Sequence, residues 1–493
     1  MTRILAIDQG TTGTTCLVTD ENGKVLGRGY REIKQYYPQN GWVEHDGEEI
    51  FKSVLEAAYE AVEKSGIAWQ ELIAVGITNQ RETALVWDAK TSKPVHKAIV
   101  WQCRRTAPMM NELKKQGYGD YIRNKTGLVL DAYFSASKLK SILDAVDPQR
   151  QAANRGSFLC GTIDSWLIWK LTGGLSHFTD FTNASRTMLY NIDDLQWDES
   201  LLNLFQIPAK SLPQVKNSSD FYGMTAPGIF PKDLPITGVA GDQQAALYGH
   251  GAWKKGLAKN TYGTGCFLMM NTGEERIDSS AGLLTTLACD AHGKPAYALE
   301  GSVFIGGAVI QYLRDELGLI KSAAESESLA MSINSTDGVY FIPAFVGLGA
   351  PWWNMELRGM ISGLSRSSGK AVIVRAALES IAYQSADLIH RMAEDSNIKI
   401  PALAVDGGAA QNNFLMQFQA DLLRIPLIVP ENIDTTALGA AALAGLYQKI
   451  WASPEELRMK IQSGREFSPQ ENSEFMAGLY EGWHNAVKFL LRN

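Results

Sequence analysis

Hydrophobic positions near the N-terminus occur in short runs that predict β-strands. Residues 3–7 and 16–19 are largely apolar and flank a turn rich in glycine and threonine. A third run over 24–30 follows an Asn-Gly pair, a common signal for a tight turn between antiparallel strands. Residues 48–65 carry apolar side chains at helical spacing, and residues 72–78 form another apolar run. The chain is therefore predicted to begin as a mixed α/β domain.

The same order of strand, turn and strand returns over residues 259–272, followed by predicted helices around 307–318 and 371–394. This recurrence indicates a weak internal duplication. Glycines interrupt the helical pattern at the junction of the two halves, and glycine suits a hinge between domains. We therefore predict two domains, residues 1–250 and 251–493.

Length and composition agree with a large soluble protein. The chain has 493 residues, of which 45% are hydrophobic and 20% are charged, and that length exceeds what one hydrophobic core normally serves. The formal net charge of -7 gives no general attraction to nucleic acid or to anionic membranes. We expect no nucleic-acid partner, and any phosphate ligand must be held by local hydrogen-bond donors.

Cysteines and apolar segments favour a cytoplasmic protein. The five cysteines lie far apart and include no C-x-x-C pair, so neither a zinc site nor a disulfide framework is indicated. The N-terminal apolar run reaches Asp8 too early for a signal-peptide core. The apolar stretch over residues 436–447 is about half the length of a membrane span. We expect a buried helix there, no membrane insertion, and reduced thiols in the cytoplasm.

Two turns are suited to binding phosphate groups. Residues 8–15 read DQGTTGTT and residues 260–267 read NTYGTGCF; glycines let backbone N–H groups converge, and threonine hydroxyls add donors. Asp8 would accept a hydrogen bond from a water on Mg²⁺, because a carboxylate and a phosphate repel each other without a cation. A plain hairpin turn explains the first segment alone equally well, but the pair favours a nucleotide held by its phosphates.

Two further predicted strands end in polar groups. Residues 406–413 read DGGAAQNN before a helical pattern, an arrangement at which nucleotides commonly bind. Gly408 would leave room for adenosine and Asn412 would offer an amide, although a bare packing turn is the alternative. Residues 239–246 read VAGDQQAA. Asp242 in this segment lies just before the predicted hinge, which would put it within reach of both a nucleotide and the molecule that accepts its phosphate. The commoner role for such an aspartate is capping the helix that follows.

A fifth segment, residues 78–83, reads TNQRET at the end of an apolar run. Arg81 offers a fork of donors and Glu82 a pair of acceptors, which suits vicinal hydroxyls, while Trp101 could pack on carbon-bound hydrogens. A surface ion pair beside a core tryptophan is the alternative interpretation. A polyol pocket is therefore a hypothesis for this segment.

Taken together, these segments resemble the FGGY carbohydrate-kinase family, in particular its members that act on glycerol. The similarity covers nearly the whole chain in the family's order. The matching motifs are DQGTT at 8–12, GITNQRET at 76–83, WQCRRT at 101–106, NASRTM at 183–188, GDQQ at 241–244, NTYGTGCF at 260–267 and DGG at 406–408.

The resemblance implies an α/β fold of two ribonuclease-H-like domains of the actin/Hsp70 type, with a nucleotide cleft between them. It implies that Asp242 is the general base for transfer of phosphate from ATP, and that Asp8 and Asp242 lie near Mg²⁺. The residues implied to bind the nucleotide are Thr11, Thr12, Gly13, Thr264, Gly307, Gln311, Gly408 and Asn412. Those implied to bind the acceptor are Arg81, Glu82, Trp101, Tyr133, Asp242, Gln243 and Phe267.

The same resemblance gives expectations about substrate, products and assembly. Trp101 and Phe267 would form two aromatic walls around a three-carbon backbone, so glycerol is the expected acceptor, and ATP would be converted to ADP. Family members are often dimers or tetramers, so a homodimer or homotetramer is expected. Several positions depart from the family pattern; the one nearest the phosphates is Thr15, which stands where an arginine is usual and would remove one cationic contact to them.

Two alternatives stay open at this point. Another kinase of the same family, acting on a ketose or an aldonate, would share all of these features except the acceptor pocket. A non-kinase ATPase of the actin or Hsp70 type would share the fold and the phosphate turns, but it would turn over ATP without a polyol.

Overall fold

The protein is described by a computed structural model that covers residues 2–461 and 464–492. It forms two compact units. The first unit contains Met1–Trp253, Thr285–Tyr297 and Asp434–Gln462, and the second contains Lys254–Leu284, Ala298–Ile433 and Ser463–Asn493.

The elements up to residue 253 alternate between strands and helices. The strands are β1 (Arg3–Gln9), β2 (Gly13–Asp20), β3 (Val25–Glu32), β4 (Glu44–His45), β5 (Leu72–Asn79), β6 (Ala84–Asp88), β7 (Lys93–Pro94), β8 (Ala98–Ile99), β9 (Phe158–Thr162), β10 (Phe178–Asp180), β11 (Tyr190–Asn191), β12 (Gln196–Trp197), β13 (Gln214–Lys216), β14 (Ser219–Met224) and β15 (Pro235–Gly241). The helices are α1 (Gly47–Ser65), α2 (Ala107–Lys115), α3 (Tyr118–Thr126), α4 (Ser135–Val146), α5 (Gln151–Asn154), α6 (Ile163–Leu171), α7 (Phe181–Ala184), α8 (Glu199–Phe205) and α9 (Asp242–Gly249).

The later part of the chain has the same mixed character. The strands are β16 (Ala258–Tyr262), β17 (Cys266–Gly273), β18 (Leu284–Cys289), β19 (Pro295–Val303), β20 (Tyr340–Ile342), β21 (Met360–Ser362), β22 (Leu403–Asp406), β23 (Leu427–Pro430) and β24 (Gly464–Phe467). The helices are α10 (Ala308–Asp315), α11 (Ala323–Met331), α12 (Lys370–Ser396), α13 (Asn413–Leu423), α14 (Thr435–Tyr447), α15 (Pro454–Ile461) and α16 (Ser473–Arg492).

The three predicted N-terminal strands, β1 to β3, form an antiparallel meander. This meander and the first helix are confirmed where the residue pattern predicted them. Helix α1 begins after Asp46, whose carboxylate accepts the N–H of Glu48 at 2.9 Å, as an N-cap aspartate does. It ends at Gly66, where φ is 69°, a left-handed conformation that glycine adopts without strain. The apolar stripe of α1 is buried against the strands around it.

The first unit is built on a six-stranded sheet in the order β14-β15-β5-β1-β2-β3. Alternation along β1 divides its side chains between two cores. Leu5 and Ile7 belong to the cluster that includes α1, while Ile4 and Ala6 belong to a cluster with small residues of α14. The sheet therefore lies between α1 and α14, with both of its faces covered.

Helix α14 approaches the sheet of the first unit closely because both surfaces are made of small residues. A Cβ on Gly76 of β5 would lie 2.2 Å from the carbonyl oxygen of Ala440, and a Cβ on Gly238 of β15 would lie 2.4 Å from the backbone nitrogen of Ala444. This packing brings Asp434–Gln462 into the first unit, a membership that the predicted domains, 1–250 and 251–493, did not include. The buried helix predicted over 436–447 is confirmed.

The second unit repeats the local topology of the first. Strands β19-β17-β16-β22-β23-β24 are consecutive neighbours in one sheet. Strand β16 pairs antiparallel with β17 and parallel with β22, just as β1 pairs antiparallel with β2 and parallel with β5. This correspondence supports the internal duplication. Among the described residues, no helix is both long enough and apolar enough to cross a bilayer.

Candidate active site

Three neighbouring parallel strands of the first unit end at one edge of the sheet. Gln9 of β1 lies opposite Asn79 of β5, and Asn79 lies opposite Gly241 of β15. The polar segments that follow these strands are therefore neighbours, as expected for the carboxyl ends of adjacent parallel strands. This edge carries Asp8, Arg81, Glu82 and Asp242.

The turn between β1 and β2 is tightly constrained. The N–H of Gly10 donates to the carbonyl of Gly13 at 2.9 Å, and a Cβ on Gly13 would lie 2.6 Å from the carbonyl oxygen of Arg31. The Gln35 amide donates to the Thr11 carbonyl at 2.6 Å, whereas Thr12 is exposed. The turn is thus fixed from one side and offers Thr12 to solvent, as a phosphate site requires.

Arg81 and Glu82 are buried, each only 2% exposed, so they do not form a surface ion pair. Arg81 Nε lies 3.1 Å from Asp242 Oδ1 and 3.6 Å from Glu82 Oε1. Asp242 is the first residue of α9, and the N-cap position of that helix is occupied by Gly241. The structure therefore brings together the three charged residues that the sequence predicted for the acceptor pocket.

A second buried arginine supports this group. Arg186 is fully buried, and its Nε donates to Glu82 Oε1 at 2.8 Å. Its guanidinium also lies 5.3 Å from the ring centre of Phe134, within the range of a cation–π contact. Arg186 stands in one of the motifs that resemble the family, but no role was predicted for it.

Trp101 and Tyr133 stand beside this group. Their ring centres are 5.4 Å apart with an interplanar angle of 74°, an edge-to-face arrangement. Trp101 Nε1 donates to Thr11 Oγ1 at 2.9 Å, so the aromatic wall is tied directly to the phosphate turn. Gln243 follows Asp242, and its N–H donates to Asp242 Oδ1 at 2.7 Å.

The segment that carries Tyr133 is held by a buried lysine that sequence reasoning missed. Lys138 Nζ donates to the carbonyls of Ala132 at 2.8 Å and Phe134 at 2.9 Å, and also to that of Tyr133. Burial lowers the pKa of Lys138 to about 7. Three carbonyl acceptors match the three hydrogens of an ammonium group, so the protonated side chain can donate one hydrogen bond to each carbonyl.

Asp8 lies in an acidic environment. Burial, together with the negative charges of Asp242 and Asp434, raises the pKa of Asp8 to about 8, and Arg28 opposes that rise. Arg28 itself pairs with Asp434 at 3.2 Å. Carboxylates placed this close favour either a shared proton or a bound cation.

Replacing Asp8 with asparagine is expected to raise the melting temperature of the chain, and the gain should grow with pH. The pKa of Asp8 rises from an ordinary value of 3.8 to about 8. Between these values, the folded chain keeps a proton that the unfolded chain loses. The ionisation of Asp8 therefore lowers the free energy of unfolding of the parent as pH rises through this window. Asparagine does not ionise, so it removes this pH dependence.

Thermal unfolding of parent and Asp8→Asn at about pH 5 and about pH 8 measures this effect. Asp88→Asn is a control of opposite sign, because hydrogen bonds from Thr91 lower the pKa of Asp88 and its removal should destabilise the chain at neutral pH. An Asp8→Asn gain that is the same at both pH values would contradict the assigned electrostatics.

The residues of the second unit that were predicted to bind nucleotide lie around the ends of β16 and β22. Thr261 of β16 is opposite Asp406 of β22. Thr264 is exposed in the turn after β16, and the N–H of Gly307, just before α10, donates to the Gly263 carbonyl at 2.8 Å. Gln311 is exposed on α10. Phe267 lies on β17 of this unit.

The turn after β22 requires glycine. Gly407 has φ of 89°, and a Cβ there would lie 2.5 Å from the carbonyl oxygen of Tyr262. Gly408 is exposed with no atom near its missing Cβ, which leaves a free surface beside the turn. Asn412 caps α13 by accepting the N–H of Leu415 at 3.0 Å and donates to Ser326 Oγ at 3.3 Å.

Comparison with known proteins decides the family. Residues 3–249 match the N-terminal domain model of the FGGY family of carbohydrate kinases, and residues 258–447 match its C-terminal domain model. The chain belongs to the FGGY family of carbohydrate kinases. The predicted family is confirmed.

Individual relatives of this FGGY kinase are similar over nearly its whole length. It is 54% identical over 487 residues to glycerol kinase 2 of Thermotoga maritima, a match that covers 99% of this chain and 98% of the relative. It is 50% identical over 486 residues to a glycerol kinase of Listeria monocytogenes, covering 98% of each chain.

Solved structures confirm the predicted two-domain α/β fold. A glycerol kinase of Plasmodium falciparum with ADP has a TM-score of 0.93 and 35% sequence identity, over 100% of this chain and 98% of that one. A xylulose kinase of Lactobacillus acidophilus has a TM-score of 0.89 at 22% identity, covering 100% of this chain and 99% of that one. The second likeness is one of fold alone.

Proposed function

We propose that this FGGY kinase transfers the terminal phosphate of ATP to a primary hydroxyl of glycerol, giving sn-glycerol 3-phosphate and ADP. The observation that carries the proposal is the buried pair Arg81 and Glu82 with Asp242 Oδ1 held 3.1 Å from Arg81 Nε, beside Trp101 and Tyr133. The whole-length identity of 54% to a glycerol kinase supports the same acceptor.

In the proposed reaction Asp242 is the general base. As a hydroxyl oxygen of glycerol attacks the γ-phosphorus, its proton passes to the Asp242 carboxylate; the bond from phosphorus to the bridging oxygen breaks, and ADP leaves with that electron pair. Arg81 Nε lies 3.1 Å from Asp242 Oδ1, a contact that would hold the carboxylate in place as it receives the proton. Positioning of this kind supplies much of the rate in phosphoryl transfer.

The acceptor would be held by both polar and aromatic groups. Arg81, Glu82 and Gln243 provide donors and acceptors for the hydroxyls, and Trp101 and Tyr133 present apolar rings to the carbon backbone. We propose Phe267 as a further apolar contact, on the basis of the family pattern. A small pocket lined in this way would favour a triol over a pentose.

Asp8 and Asp242 are the residues that we propose to hold Mg²⁺. Their carboxylates lie close enough for Asp242 to raise the pKa of Asp8, and carboxylate oxygens are the protein ligands that Mg²⁺ prefers. Bound there, the cation would neutralise charge on the phosphate groups. Among the described residues no group of three or more potential ligands forms a cage, and Mg²⁺ normally keeps several waters and phosphate oxygens in its shell.

We propose two sets of residues for binding the nucleotide. In the first, Thr11, Thr12 and Gly13 offer donors to the terminal phosphates, supported by the constrained turn between β1 and β2. The residues proposed in the second unit are Thr264, Gly307, Gln311, Gly408 and Asn412. The free surface at Gly408 and the helix start at Gly307 support that assignment.

Compartment and assembly remain predictions. The five cysteines are buried and none of them forms a disulfide within the described part of the chain, which agrees with a reducing compartment and therefore with the cytoplasm. A homodimer or homotetramer is proposed on the family pattern alone.

An assay of ADP release with glycerol, xylulose, gluconate or no acceptor tests the proposed substrate. Glycerol should give the highest kcat/KM, and turnover without an acceptor should be at least about 100-fold slower, because water must be excluded from a kinase site. Higher kcat/KM with xylulose or gluconate would indicate another activity of the same family. Equal turnover without an acceptor would indicate an ATPase.

A further inference from the structure

Asp180 is a buried carboxylate of the first unit that the proposed reaction does not use. It lies at the end of β10, is fully buried, and accepts hydrogen bonds from three neighbouring residues. Its Oδ2 accepts from Thr182 Oγ1 at 2.6 Å, Thr182 N at 3.0 Å and Ser218 Oγ at 2.7 Å. Its Oδ1 accepts from Asn183 N at 3.0 Å and Asn183 Nδ2 at 2.9 Å.

Through its Oδ2 atom, Asp180 is linked by hydrogen bonds to the end of β15, the strand that precedes Asp242. Because the Thr182 hydroxyl donates its one hydrogen to Asp180, its lone pairs are left to accept. They accept the N–H of Gly241, the residue before Asp242, at 2.9 Å. Ser218 is also bonded to β15, because its carbonyl accepts the N–H of Val239 at 2.8 Å.

Through its Oδ1 atom, Asp180 is linked by hydrogen bonds to the end of β5, the strand that precedes Arg81. Asn183 donates from Nδ2 to Asn79 Oδ1 at 3.2 Å and accepts from Asn79 Nδ2 at 3.0 Å. Asn79 Nδ2 also donates to the carbonyl of Gln80 at 3.0 Å. This amide pair fixes the last residue of β5 and the first residue of the segment that continues to Arg81.

We propose that Asp180 is a positioning residue that sets the separation of Asp242 and Arg81, through Thr182 on one side and the Asn183–Asn79 pair on the other. The inference rests on the proposed function, because it assigns Asp242 as the base. One rigid carboxylate would thus hold the ends of two neighbouring strands at a fixed spacing, and small errors in such spacing are costly in phosphoryl transfer.

A nearly identical arrangement next to Asp180 supplies a matched control. Thr179 Oγ1 donates to the buried carboxylate of Asp164 at 2.6 Å, and Thr179 and Thr182 are both no more than 1% exposed. Asp164 also accepts from Thr162, which is the last residue of β9. Thr179→Val and Thr182→Val therefore each remove a buried hydroxyl that donates to a buried carboxylate, but of the two only Thr182 also accepts the N–H of Gly241.

The experiment measures kcat, the KM for glycerol and the free energy of unfolding for the parent, Thr182→Val, Thr182→Ser, Thr179→Val and Asp180→Asn. We expect Thr182→Val to lower kcat by about 10–100-fold, with a loss of stability similar to that of Thr179→Val. Thr182→Ser keeps the hydroxyl and should restore kcat to within about threefold of the parent. Asp180→Asn, which leaves the hydroxyl of Thr182 in place, should lower kcat at least as much as Thr182→Val.

Equal kcat losses in Thr179→Val and Thr182→Val would overturn the proposal, as would a kcat within about twofold of the parent in Thr182→Val. If Thr182→Val does not fold, Thr182→Ser and Asp180→Asn still decide the question, since a parent-like kcat in Asp180→Asn also overturns it. Failure of the proposed function is distinguishable, because then the parent itself shows no glycerol-dependent turnover.

Discussion

Asp242→Asn is expected to lower kcat by about 10²–10⁴-fold, the range in which a general base contributes. Asparagine has almost the same shape as aspartate but cannot accept the proton of the attacking hydroxyl. Because Arg81 Nε can still donate to the amide oxygen at the position now 3.1 Å away, the fold and the KM for ATP should change little. Steady-state kinetics with glycerol as acceptor measure the effect.

Asp46→Asn is the matched control for this substitution. The Asp46 side chain is 33% exposed and pairs with Lys97 at 3.0 Å, while that of Asp242 is 31% exposed and pairs with Arg81 at 3.1 Å. Asparagine also caps helices well, so α1 should persist. The control should keep parent kcat, and an Asp242→Asn enzyme with near-parent kcat would remove Asp242 from the base role.

Arg81→Met should lower kcat/KM by about 10²–10³-fold, because removing one member of a buried ion pair leaves the other charges uncompensated. Glu82 would keep Arg186 at 2.8 Å but lose Arg81, and Asp242 would lose the partner that orients it. Arg105→Met is matched in charge and burial, since Arg105 is 5% exposed in its side chain and pairs with Glu44 at 2.6 Å. That control should lose stability while kcat/KM stays within a few-fold of the parent.

The double variant Arg81→Met with Asp242→Asn separates orientation from general destabilisation. If Arg81 acts largely by orienting Asp242, the two losses will be far from additive, because residues that act as a unit share one effect. A double variant whose loss in kcat/KM equals the product of the single losses would show that Arg81 and Asp242 act independently.

The fold of the N-terminal meander could be predicted because its signals are local. The Asn-Gly turn, the apolar runs and the helical spacing over α1 each depend on nearby residues. The convergence of Arg81 and Asp242 was also within reach, because polar groups after parallel strands meet at one edge. Which strands are neighbours still came from the resemblance and from the structure, since strand order is not encoded in any local pattern.

Other features depend on long-range packing that no local pattern reports. Helix α14 is apolar around its whole surface, so its sequence predicts burial without indicating which sheet it covers. Lys138 and Arg186 are cations, which ordinarily lie at the surface. Arg186 is buried because it pairs with Glu82, 104 residues away along the chain, and Lys138 is buried because the preceding segment folds its carbonyls around the ammonium group. The positioning role proposed for Asp180 likewise depends on the strand ends that Thr182 and Asn183 contact, which the sequence around Asp180 does not indicate.

Phosphorus NMR of a mixture of the chain, ATP, Mg²⁺ and glycerol tests directly whether the chain phosphorylates glycerol. We predict one new phosphomonoester signal, that of sn-glycerol 3-phosphate, growing at the same rate as ADP, with inorganic phosphate remaining a minor product. ADP accompanied by inorganic phosphate alone, with no glycerol ester, would contradict the account.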